Sequence, residues 1–172
     1  SGTVAGFCID FQDFVDPGNT YNVDVDMLRD TPDGPLGPMG ELRSGQIAWL
    51  LDHNAWGLEM NADAAAAMQL AIWEIVNEKT AATYNVISGK PNSGNFYSTS
   101  SKPARTTAQG LLDDMLANYP DGGYSSAGYA GLYSLAKQDF LVSVPVPVPV
   151  PGAILIGLLG LGYAGWRLRK TV

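Results

Sequence analysis

The sequence predicts an α+β domain, a mixed β-sheet or barrel with a few helices, followed by a single C-terminal transmembrane helix. Three observations predict it. Strand-like segments lie near both ends of the first 143 residues, amphipathic helical segments lie between them, and a charge-free apolar run ends the chain beside a basic cluster. The chain therefore divides into a domain at 1–143, a Val-Pro spacer at 144–151 and an anchor at 152–172.

Residues 3–11 read as a strand carrying Cys8, bounded by acidic residues and by Asp16-Pro17-Gly18. Within 20–27, Tyr21, Val23, Val25 and Met27 alternate with Asn22, Asp24 and Asp26, the pattern of a half-buried strand. Residues 31–40 are dense in Pro and Gly and predict a loop. Ser44 is expected to cap a short helix through Ile47, Trp49, Leu50 and Leu51, ending near Asn54. The clearest helix spans about 63–78, with Asn61 or Asp63 as its N-cap. A short strand at 84–88 and a polar loop at 90–101 follow. A second amphipathic helix then spans 106–119 through Leu111, Leu112, Met115 and Leu116. The Gly/Ser/Tyr-rich stretch at 120–133 is ambiguous, and 138–144 reads as the last strand.

Pro occupies alternate positions from Val144 to Pro151, which removes every second amide hydrogen. Such a segment is expected to form a stiff polyproline II spacer rising roughly 3 Å per residue. Counted from Val150, the apolar run that follows is 17 residues long and stops at Arg167-Leu168-Arg169-Lys170. As a helix it would measure about 25 Å, at the short end of what spans a bilayer. The basic end, with Tyr163 and Trp166 at the expected interface, orients it with the C-terminus cytoplasmic and the domain outside. Ala153, Gly157, Gly160 and Ala164 would share one face of this helix, a packing surface for another transmembrane helix. The chain starts at Ser1 without an initiator Met, as a secreted protein does after signal-peptide removal.

Residues 1–151 carry all 17 acidic side chains and seven of the ten basic ones, a net charge of −10. Nucleic-acid binding is excluded as an expectation, because phosphate neutralisation requires clustered Lys and Arg. Cys8 is the only cysteine, so no intramolecular disulfide exists. A lone thiol in a secreted chain calls for an intermolecular bond, a reactive role or burial. Gln69 raises a parallel question. Ala65, Ile72, Trp73 and Val76 lie on its side of the helix, where an unsatisfied amide would cost a few kcal/mol. Ordinary hydrogen bonds would answer it.

His53 is the only histidine, and two roles suit it: a proton shuttle, or a surface residue at a helix C-terminus. With no second histidine and no Gly-x-Ser-x-Gly, a hydrolase triad is not expected. Asp24, Asp26, Asp30 and Asp33 do not follow the spacing of a calcium loop and read as a solvated edge. No cofactor and no metal is implied.

Phe7-Cys8-Ile9-Asp10, Gln46-Ile47-Ala48-Trp49-Leu50-Leu51 and Gln69-Leu70-Ala71-Ile72-Trp73-Glu74-Ile75-Val76 together resemble the Cys–Gln thioester (TQXA) domains of bacterial surface proteins, over roughly residues 4–120. The resemblance implies that Cys8 on a strand and Gln69 on a helix are joined side chain to side chain. It also implies that the bond acylates amines on a target surface. Met68 stands where the family often has Thr. The tail resembles a PEP-CTERM sorting signal of Gram-negative exosortase substrates, with Val-Pro-Val-Pro in place of the usual Glu-containing motif.

The expected function is a secreted, single-pass membrane-anchored protein that links covalently to an amine-bearing surface protein or polysaccharide. Its thioester would form autocatalytically and turn over once, so it is not an enzyme in the usual sense. Phe7, Trp49 or Trp73 would keep water from the bond. The rival expectation is a structural or accessory subunit of a membrane complex or cell-surface assembly, with the Cys–Gln link as a fold staple. A third is a polysaccharide-binding module using exposed Tyr and Trp.

Overall fold

The computed structural model describes residues 4–10, 13–31, 37–78, 83–87, 96, 98, 103–134 and 137–145. Most of the expected spacer, the anchor with Ala153, Gly157, Gly160 and Ala164, most of the 90–101 loop, and Asp33 lie outside them. Among the described residues, no helix is long and apolar enough to cross a membrane.

The described chain is α+β. Its strands are β1 (Gly6–Cys8), β2 (Asp24–Met27), β3 (Tyr129–Ser134) and β4 (Lys137–Ser143), and its helices are α1 (Gly40–His53), α2 (Ala62–Asn77) and α3 (Pro103–Asn118). The strands form one sheet in the order β1-β4-β3-β2. Every pairing is antiparallel, so the sheet is neither mixed nor, among the described residues, closed into a barrel. The two ends of the domain meet in it: Gly6, Phe7 and Cys8 lie opposite Val142, Leu141 and Phe140.

α1 is buried at eight consecutive positions from Ser44 to Leu51, as befits a helix packed on all sides. It starts at Gly40, four residues before the expected cap. Ser44 instead lies inside the helix and donates its hydroxyl to the Glu41 carbonyl, a bond that a mid-helix serine makes readily. α2 begins where its cap predicts, with Asn61 Oδ1 accepting from Ala64 N at 2.8 Å. α3 opens on Pro103, whose missing N–H has no intrahelical partner to lose. It buries Ala104, Ala108, Leu112 and Met115 at helical spacing. α2 packs against α3, and both touch α1.

Two expected elements differ. The strand at 84–88 is absent over its described residues, 84–87, because helix side chains satisfy that backbone instead of a neighbouring strand. Glu74 Oε1 accepts from Asn85 N, Gln109 Oε1 accepts from Val86 N, and Gln109 Nε2 donates to the Tyr84 carbonyl. β2 occupies only the second half of its expected span, and its apolar face stays in solvent. Val25 is 67% and Met27 56% exposed, since the strand lies at the sheet edge and pairs only with β3. β3 itself emerges from the ambiguous Gly/Ser/Tyr stretch. Gly131 is required there: a Cβ would lie 2.2 Å from Thr31 Oγ1.

Candidate functional site at the β1–α2 junction

Cys8 ends β1, and the strand is a sheet edge with β4 on one side only. Ile9 N donates to the Asp139 carbonyl on β4, so in the alternating antiparallel pattern the amide groups of Cys8 face away from β4. Gln69, projecting from α2, meets them. Its Oε1 accepts from Cys8 N at 3.0 Å, and its Nε2 donates to the Cys8 carbonyl at 2.6 Å. One side chain thus takes the place of a neighbouring strand and fixes its carboxamide against the residue carrying the thiol.

The thiol is 8% exposed and donates to the Asp10 carbonyl at 2.6 Å. Burial pushes its pKa up to about 11, and the carboxylates of Asp10 and Asp139 add to the rise. The Trp73 side chain and the Asp10 backbone oppose it. Trp73 lies one turn beyond Gln69 on α2, so the same helix face supplies the carboxamide and an indole that favours the thiolate. At neutral pH the sulfur is a protonated thiol, and any attack by it requires a proton acceptor.

Of the three aromatic residues expected to cover the site, Trp73 acts on the thiol by lowering its pKa. Its ring meets Phe96 edge-on at 6.0 Å between centroids. Phe7 packs on Trp56, and Trp49 stacks on His53 at 4.1 Å. The exposed His53 bonds the Trp49 carbonyl through Nδ1 at 2.8 Å and meets Tyr124 edge-on. None of these partners touches Cys8 or Gln69 in the described contacts. Asp10 and Asp139 are the charged neighbours of the thiol that the sequence did not single out. Asp139 reaches the site through the pairing of β1 with β4, which no local pattern encodes. No group of three or more His, Cys, Asp or Glu among the described residues could hold a metal ion.

The arrangement contains the parts for acyl transfer: a thiol, a carboxamide whose oxygen is polarised by a backbone N–H, and a leaving nitrogen held by a carbonyl. The chain matches no protein-family model, no curated protein and no solved structure.

Proposed function

We propose that this chain is a membrane-anchored bacterial surface or periplasmic protein of the thioester-domain type, in which Cys8 and Gln69 form an internal thioester that acylates an amine of its partner. The observation that supports this reading is the paired hydrogen bonding of the Gln69 carboxamide to both amide groups of Cys8. Holding the carboxamide on the backbone of the residue that carries the thiol lowers the barrier that a free thiol and a free amide would face. The sulfur attacks the Gln69 carbonyl carbon, and Cys8 N–H stabilises the charge gathering on Oε1. The carbon–nitrogen bond breaks, the thiol proton leaves with the nitrogen as ammonia, and a carbon–sulfur bond remains. An amine of the partner, a surface protein or polysaccharide, then attacks the same carbon. An amide forms and the Cys8 thiol returns. The expected Val-Pro spacer and C-terminal helix would hold the domain outside the membrane, with an exosortase as a further partner if the tail is processed.

A second reading has its own support. The Gln69 clamp occupies the free edge of β1, where unpaired backbone groups invite misassembly. A link there would staple the first strand to α2 in a structural or accessory subunit.

Intact mass separates these readings. Freshly purified wild type should be lighter than its sequence mass by one ammonia, whereas Cys8→Ala and Gln69→Ala should show full mass. Methylamine should then add to the wild type alone. Full mass with a freely titratable thiol in the wild type refutes the thioester. A deficit that methylamine never relieves under native conditions favours the staple.

A further inference from the structure

A pocket lies beyond Phe7, at the C-terminal end of α1. It is a cavity of about 690 Å³ lined by Asp52, Trp56, Tyr124, Ser125, Tyr129 and Ser143, among others. The Asp52 carboxylate is held at both oxygens: Tyr129 donates to Oδ1 at 2.6 Å and Tyr124 to Oδ2 at 3.0 Å. The Trp56 and Tyr129 rings lie 6.0 Å apart. These donors are neutral, so they orient the carboxylate and leave its charge in place. No ion pair among the described residues involves Asp52.

The position of that charge is unfavourable for the fold alone. Asp52 lies in the last turn of α1, where the helix already presents its negative end. An anion there is destabilising unless a cation approaches, and the surrounding rings offer electron-rich faces to one. A neutral sugar would stack on the same rings but would leave the carboxylate uncompensated. An alkylammonium group answers both features.

We infer that the Asp52–Trp56–Tyr124–Tyr129 pocket binds a primary ammonium group, and so docks amine-bearing ligands on this domain. Binding does not depend on thioester chemistry; the use made of the bound ligand does, and to that extent the inference rests on the proposed function. Phe7 neighbours Cys8 in sequence and its ring lies 5.8 Å from that of Trp56, so the pocket begins next to the strand that carries the thiol.

The test uses the full chain carrying Cys8→Ser, which cannot form a thioester but retains the backbone groups that hold Gln69. Calorimetric titration with 1,5-diaminopentane is compared with titration by its neutral isostere, pentane-1,5-diol. The diamine should bind saturably and the diol should not. Asp52→Asn should weaken diamine binding by about fivefold, the effect of removing one solvent-accessible ion pair. Tyr124→Phe, which frees one oxygen of Asp52, should weaken it by a smaller factor and serves if the Asn variant does not fold. Equal binding of diol and diamine, no diamine binding, or undiminished binding in the folded variants overturns the inference. Because all titrations are done without the thiol, failure here leaves the mass result intact. Failure of the mass test likewise leaves these titrations intact.

Discussion

Glu74 provides a quantitative test of how burial shapes this domain. It lies on α2 with 0% exposure, and its Oε1 accepts from Asn85 N at 2.6 Å. Its other carboxylate oxygen has no partner among the described residues. Burial raises its pKa from 4.5 to about 7, the Asn85 N–H opposes the rise, and the charge of Glu78 adds to it. Between those two values the folded protein keeps a proton that the unfolded chain gives up. Stability from this group is therefore complete below pH 4.5 and is lost as pH rises through about 7. At about 1.4 kcal/mol per pH unit, the loss comes to about 3 kcal/mol. Glu74→Gln keeps an oxygen for Asn85 N–H and carries no charge. Urea unfolding followed by tryptophan fluorescence should find the two proteins similar at about pH 4.5. At about pH 8 the variant should be more stable by about 3 kcal/mol. Comparing the two proteins at each pH cancels every other titrating group. A gap that does not change with pH would refute the argument that Glu74 is folded in at the expense of its solvation.

The remaining predictions concern the site and the helix that carries it. The wild type alone, and neither Cys8→Ala nor Gln69→Ala, should fall one ammonia short of its own sequence mass, and diamine binding should weaken in Asp52→Asn. Trp73→Phe removes the indole N–H that lowers the pKa of the Cys8 thiol, so refolded protein should lose ammonia about tenfold more slowly, read by mass against time. An unchanged rate would assign Trp73 a packing role only. Asn61→Ala removes the side-chain oxygen that caps α2 and should cost about 1 kcal/mol in urea unfolding. No loss would mean that water satisfies Ala64 N equally well.

The parts of the fold that sequence reading anticipated are those governed by neighbours in the chain. α2 follows from the Asn61 cap and an apolar repeat of helical period, and α3 buries Leu112 and Met115 of its expected face but leaves Leu116 exposed. β4 appears almost at its expected bounds. The misreadings share another cause. Segment 84–87 has the residues of a strand, but Glu74 and Gln109 take its hydrogen bonds. The alternation in β2 promised a buried face, yet burial depends on what lies over a strand, and β2 lies at the sheet edge. β3 was hidden by glycine and serine, whose small size is needed only because Thr31 lies against Gly131.

The site divides in the same way. The sequence by itself determined that Cys8 is the only thiol, that Gln69 lies on the inner side of a helix, and that Trp73 follows it by one turn. Those are facts of composition and helical period. Only the tertiary structure decided that Gln69 hydrogen-bonds both amide groups of Cys8 across 61 positions, that Asp139 approaches the thiol through β4, and that His53 contacts Trp49 and Tyr124 instead. It also brought Asp52 together with Tyr124 and Tyr129, more than 70 positions away. The physical reason is range: helix period and capping act over a few residues, whereas a strand edge acquires its partner only when packing brings another element to it.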